Sequence, residues 1–229
     1  MFKFLKGKTT LSIDPVIVDP DFYNVNIATT VTYDLNATIK TPTELMATVQ
    51  GAILDYNEEH LDDFSSDLRY SRLLSAIANS DVSIVSNDTT VLMTKKLYPL
   101  LGTKASYSFN FSNELKSPDG EEAIVFSSPF EWKTGATTYN VYLEDDGAGK
   151  MRIVTVDLQN NKVVLWDKIG TVNYTTGQVS VADLIVQSYF GTSLNIYATL
   201  EHADVETNNN QILTIDASDI QVTVNGIRV

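Results

Sequence analysis

A chain of 229 residues, 43% of them hydrophobic, has enough apolar side chains for a packed core and too many to remain disordered. Its formal net charge of −13 argues against nucleic acid as a partner, since phosphate binding needs clustered Lys and Arg, and equally against an anionic membrane surface. The absence of cysteine excludes a disulfide framework and a thiolate metal centre.

Residues 1–20 read as a lead-in segment. Its basic start, with Lys3, Lys6 and Lys8, is not followed by an apolar run of signal-peptide length, so synthesis without export is expected. No stretch approaches the ~20 apolar residues of a membrane helix. The Asp14-Pro15 and Asp19-Pro20 pairs favour extended or turn backbone. From Phe22 to Leu35 the pattern alternates: Tyr23, Val25, Ile27, Thr29, Val31 and Tyr33 on one face, with Asn24, Asn26, Ala28, Thr30 and Thr32 between them. That is the signature of a long half-buried strand.

Thr41-Pro42-Thr43-Glu44 predicts a helix start. Thr41 is placed to accept the Glu44 amide, Glu44 to reach back, and Pro42 fits the first helical position. Leu45, Val49, Ala52, Ile53 and Tyr56 recur at helical spacing, and the acidic cluster Asp55, Glu58, Glu59, Asp62 and Asp63 opposes the helix dipole, so the helix should stop near Glu59. A second helix is expected with Ser71 as its cap, Leu73, Leu74 and Ile77 inward, and Asn79-Ser80-Asp81 as its end. Val82 to Val85 then alternates like a strand, and Val91 to Leu97 resumes after a turn at Asn87-Asp88. Leu45, Val49, Ile53, Leu74 and Ile77 should pack on Val25, Ile27, Val31, Val82 and Ile84.

After Leu101-Gly102 the texture changes to short alternating runs: 106–113, 123–127, 137–144, 151–157, 163–167, 171–174, 178–181, 193–201, 212–215 and 220–224. Turn residues separate them, as at Ser117-Pro118-Asp119-Gly120 and Asn160-Asn161. Residues 181–186 fit a turn of helix or a strand edge equally. The fold class is therefore α+β: a small sheet with two helices on one face, then an antiparallel β-rich domain of sandwich or barrel type. The corresponding division is 1–20 lead-in, 21–100 α+β domain, and 101–229 β-rich assembly domain.

Chemistry is sparse. His60 and His202 read as surface histidines. Gly147-Ala148-Gly149-Lys150 lacks the upstream glycine and following hydroxyl residue of a phosphate loop, and reads as a hairpin turn. Glu144-Asp145-Asp146 and Asp62-Asp63 lack the alternating oxygens and closing Glu of a calcium loop, with a weak surface site at Asp145 and Asp146 as the alternative. Trp132 and Trp166 read as core or sheet-face residues before sugar platforms. No catalytic, cofactor-binding or metal-binding residue, and no cofactor, is expected.

The first domain resembles a known family. Asp19-Pro20-Asp21-Phe22-Tyr23-Asn24-Val25-Asn26-Ile27, the Thr-rich strand, the helix from Thr43 through Tyr56, Phe64 through Leu73, and Ile77 through Val82 look like the baseplate J-like module of contractile-tailed phages. Within it they are most similar to the large wedge subunit of T4-type phages. Gly170 through Val179 is similar to a segment of the C-terminal part of such subunits. Family members are longer, with an N-terminal region, so this chain would correspond to their C-terminal part. The resemblance implies a structural virion protein of the tail baseplate, made in the host cytoplasm. It implies pairing into a homodimer and with other wedge proteins in a ring that rearranges on contraction. It implies no enzyme, no nucleic acid and no membrane. The alternative is a carbohydrate-binding or adhesin-like β module, which an exposed aromatic pair in a groove of the second domain would favour. A contact between copies is expected near Tyr98-Pro99-Leu100-Leu101 and near Tyr189-Phe190-Gly191.

Overall fold

The first strand, β1 (Asp21–Asp34), has partners along both edges. A computed structural model describes residues 21–120, 122–207 and 210–228, so the lead-in 1–20 lies outside the described residues. Tyr23, Val25, Ile27, Val31 and Tyr33 are each no more than 4% exposed, while Asn26, Ala28, Thr30 and Thr32 are half-buried on the other face. Each such Val or Ile contributes about 1.5–3 kcal/mol on burial. β2 (Ile84–Leu97) runs antiparallel along one edge, with Val25 opposite Met93 and Ile27 opposite Val91. Along the other edge the C-terminal strands β11 (Gln211–Thr214) and β12 (Ile220–Ile227) lie parallel to β1. The alternation of 212–215 and 220–224 marks them as strands but carries no information on the partner. Topology makes them part of the first sheet.

Two helices cover the inward face. α1 (Pro42–His60) opens on the expected capping box: the Glu44 amide donates to Thr41 Oγ1 at 3.3 Å, and the Thr41 amide donates to Glu44 Oε2 at 2.8 Å. Its buried residues are Leu45, Val49, Ile53 and Tyr56. α2 (Tyr70–Asn79) buries Leu73 and Ile77, with Leu74 half-buried beside them. Ser71 is not its cap. The helix begins one residue earlier, and the Tyr70 amide donates to the Asp204 carboxylate at 2.8 Å. A carboxylate brought from the far end of the chain thus satisfies an orphan donor and faces the positive end of the helix.

The turn expected at Asn87-Asp88 is absent, and β2 passes through it unbroken. Asn87 pairs with Val31 and Asp88 with Thr30, and the Asn87 amide group donates to the Leu74 carbonyl at 3.3 Å. The ladder with β1 overrides the local turn preference. The chain turns instead before Ile84, where Asp81 Oδ1 accepts from the Ser83 amide and hydroxyl. Val82 therefore stands at a corner, 94% exposed, and not in the core.

The remaining strands are β3 (Lys104–Asn110), β4 (Val125–Ser127), β5 (Phe130–Thr134), β6 (Thr137–Asp145), β7 (Lys150–Val156), β8 (Lys162–Asn173), β9 (Gln178–Tyr189) and β10 (Leu194–Thr199). The sheet continues from β2 through β10 and β4 to β6. There it curls through β5, β9, β8 and β7, and a β6–β7 pairing closes a five-stranded barrel. Phe130, Val141, Leu143, Met151, Ile153, Val179, Val181, Leu184 and Val186 are buried there, in one apolar cluster with Val25, Ile53 and Ile77 of the first sheet. Residues 163–167 and 171–174 form one strand, β8, and residues 178–181 continue through the ambiguous 181–186 as β9. Gly170 allows the close approach of β8 to β9, since a Cβ there would lie 1.9 Å from the Ser180 carbonyl oxygen.

Candidate assembly surface

The groups that could carry chemistry are engaged elsewhere. Gly147 to Lys150 forms the β6–β7 hairpin turn, closed by the Asp146 amide on the Lys150 carbonyl at 2.9 Å. Asp145 is buried. One carboxylate oxygen accepts the Ile124 and Val125 amides at 2.7 and 2.8 Å, and the other accepts the Gly147 amide at 3.1 Å and the Tyr174 hydroxyl at 2.7 Å. Burial, and then this carboxylate, push the Tyr174 phenol above its ordinary range. Neighbouring Glu144, equally buried, holds Arg152 at 2.8 Å and Lys162 at 2.7 Å. The Glu144-Asp145-Asp146 run thus ties the barrel wall to its adjoining loop. Among the described residues no cluster of three or more His, Asp or Glu could hold a metal ion.

His60 is the last residue of α1, edge-on to Tyr56 with ring centroids 5.0 Å apart. His202 stands exposed in the loop after β10, beside a cavity of about 770 Å³. Arg69 lines the same cavity, ion-paired with Asp67 at 3.1 Å and Asp204 at 3.4 Å. This polar cleft holds the acidic loop against α2. No helix among the described residues is long and apolar enough to cross a membrane.

The prominent surface feature is apolar. Leu97 pairs with Leu194 where β2 meets β10, and the Gly102 amide donates to the Val186 carbonyl at 2.7 Å. Those two ties bring the link 98–101 alongside the β9–β10 loop. Pro99 is buried and anchors the link. Tyr98, Leu100, Leu101 and Phe190 point outward, 66%, 68%, 54% and 65% exposed. The two segments singled out from sequence therefore lie together. A clustered apolar patch, unlike scattered single residues, marks an interaction site. A second open feature is β12. It pairs only with β1 among the described residues, none of its eight residues is buried, and none is charged.

A third surface feature was not legible in sequence. β8 pairs with β9 over 178–181 and β5 pairs with it over 186–189, and between those two stretches stands Asp183, whose φ of 59° marks a bulge. Between β5 and β8 opens a groove of about 450 Å³ lined by both tryptophans. β5 was missed because Phe130–Thr134 is only five residues long and starts directly after Pro129.

Comparison with known proteins bears on the assembly surface. Residues 21–96 match the family described as baseplate structural protein gp6, C-terminal domain III. The likeness is to a C-terminal domain of a baseplate structural protein, and the β1–α1–α2–β2 unit fits the matched stretch in position and extent. The chain is also similar to baseplate wedge protein gp6 of Enterobacteria phage T4, 24% identical over 203 residues, covering 88% of this chain and 29% of that protein. The chain thus spans under a third of the length of the curated relative it matches.

Proposed function

We propose that this protein is a structural wedge subunit of a contractile phage tail baseplate, without enzymatic activity, and that two copies pair through the Tyr98–Leu101 and Phe190 patch. The observation that carries the pairing is that patch: four large apolar side chains held outward at one end of the barrel by ordered strands. The similarity of residues 21–96 to a baseplate domain supports the virion location, the contacts with other wedge proteins and the ring that rearranges on contraction. On this reading residues 21–100 are the wedge module, with β11 and β12 completing its sheet, and the barrel carries the contact.

Association must overcome repulsion between copies of charge −13, so the contact has to be local and apolar. A specific contact should bury at least about 1,000 Å² in total. Light scattering coupled to gel filtration should give a dimer mass at tens of micromolar, strengthened by salt that screens the repulsion. Leu100→Asp with Phe190→Asp should return a folded monomer. A monomeric mass for the unaltered chain at every salt concentration overturns the pairing. A dimer that survives both substitutions moves the contact elsewhere, with the β12 edge next in line.

A further inference from the structure

We propose that the groove between β5 and β8 binds an anionic carbohydrate, stacked on the Trp166 indole and held by Lys133 and Lys168. Trp166 is 52% exposed, an uncommon state for so large an aromatic unless something covers it. It is also pre-ordered. Its indole nitrogen donates to the Lys168 carbonyl at 3.0 Å, and its ring meets the 7%-exposed Trp132 edge to face at 6.4 Å. A fixed ring half open to a groove is a stacking platform that loses little freedom when a sugar ring lies on it.

The charge around it runs against the rest of the chain. Lys104, Lys133 and Lys168 line the groove with Asp183 as its one carboxylate, so the site is locally positive on a protein of net charge −13. Asp183 pairs with Lys104 at 2.9 Å, both exposed, which leaves Lys133 and Lys168 to meet anionic groups of a ligand. Thr134 adds a hydroxyl for sugar hydroxyls. The volume of about 450 Å³ falls in the range of small-ligand pockets. The composition separates this groove from a protein-docking surface. Lysine is depleted from the cores of protein interfaces, whereas here it forms the rim, and of the two isoleucines in the lining Ile169 is buried and Ile185 half-buried, unlike the outward-facing side chains of the Tyr98–Phe190 patch.

The chain's two tryptophans both lie in this groove, so its tryptophan emission reports on the site alone. The full chain would be titrated with oligogalacturonate, a heparin-derived sulfated oligosaccharide, a neutral malto-oligosaccharide and poly-glutamate. Saturable quenching or a blue shift with one or both anionic sugars, weakened by salt, is expected, and the two arms separate carboxylate from sulfate recognition. Trp166→Ala should weaken binding at least about tenfold, followed by calorimetry or by gel-shift of a labelled sugar. Lys133→Glu with Lys168→Glu keeps the indole and should abolish the response while leaving circular dichroism and thermal midpoint unchanged. No saturable response to either anionic sugar overturns the proposal. An equal response to poly-glutamate overturns it in favour of an acidic peptide, and an equal response to the neutral sugar removes the role of the lysines.

Discussion

Asp145 offers the sharpest test of how the barrel is held. Its carboxylate accepts four hydrogen bonds, two of them from the buried Ile124 and Val125 amides that open β4. Asp145→Ala leaves both amides unpaired, and an unsatisfied buried donor costs about 1–3 kcal/mol. Gly147 is exposed and regains water, and the half-buried Tyr174 hydroxyl recovers part of its loss. The total loss should be about 3–6 kcal/mol. Asp145→Asn keeps one oxygen for the two β4 amides and places an NH₂ toward Gly147 and Tyr174, so about 1–2 kcal/mol is expected. Urea unfolding followed by circular dichroism would give both values, and the thermal midpoint of the Ala variant should fall by on the order of 10 °C. If Ala costs less than about 1 kcal/mol, or no more than Asn, the carboxylate is not the tie described here.

Two further outcomes follow from local geometry. The Lys40 ammonium, 2.7 Å away, and then the Ser83 donors hold the Asp81 carboxyl down at about 2 from its ordinary 3.8. Its folded pKa is depressed, so its contribution is present above about 4 and lost as pH falls toward 2. Lys40→Met should flatten that acid limb, and an unchanged pH–stability curve would refute the pairing. Gly170→Ala drives a Cβ into the β9 backbone and should destabilise by at least about 1–3 kcal/mol in the same urea assay.

The β1–α1–α2–β2 unit was legible because its signals are local. The β1 alternation, the Thr41–Glu44 box and the α1 apolar stripe all stand where they were read. The errors there came from tertiary partners. Asp204, far along the chain, caps α2 where Ser71 was expected to, and β1 holds Asn87 and Asp88 in a strand. The barrel strands were legible as strands, but not their closure, nor the return of β11 and β12 to β1, since pairing depends on residues distant in sequence. The apolar patch was half legible: the two segments could be picked out, their meeting could not. The tryptophan groove was least legible, because it is made by a bulge at Asp183 and by an unanticipated strand.

The parallel seam between β1 and the strands that return to it sets an order of events during synthesis. β1, both helices and β2 leave the ribosome before β11 and β12 and can pair locally, but one edge of β1 stays open until Gln211–Ile227 emerges. Long-range pairing of this kind is slow, because a large loop must close before any contact rewards it. Over that interval nascent chains on one messenger present the same fourteen-residue strand to one another, a template for intermolecular pairing. Truncated chains ending before β11 should therefore aggregate, since nothing then covers that edge of β1.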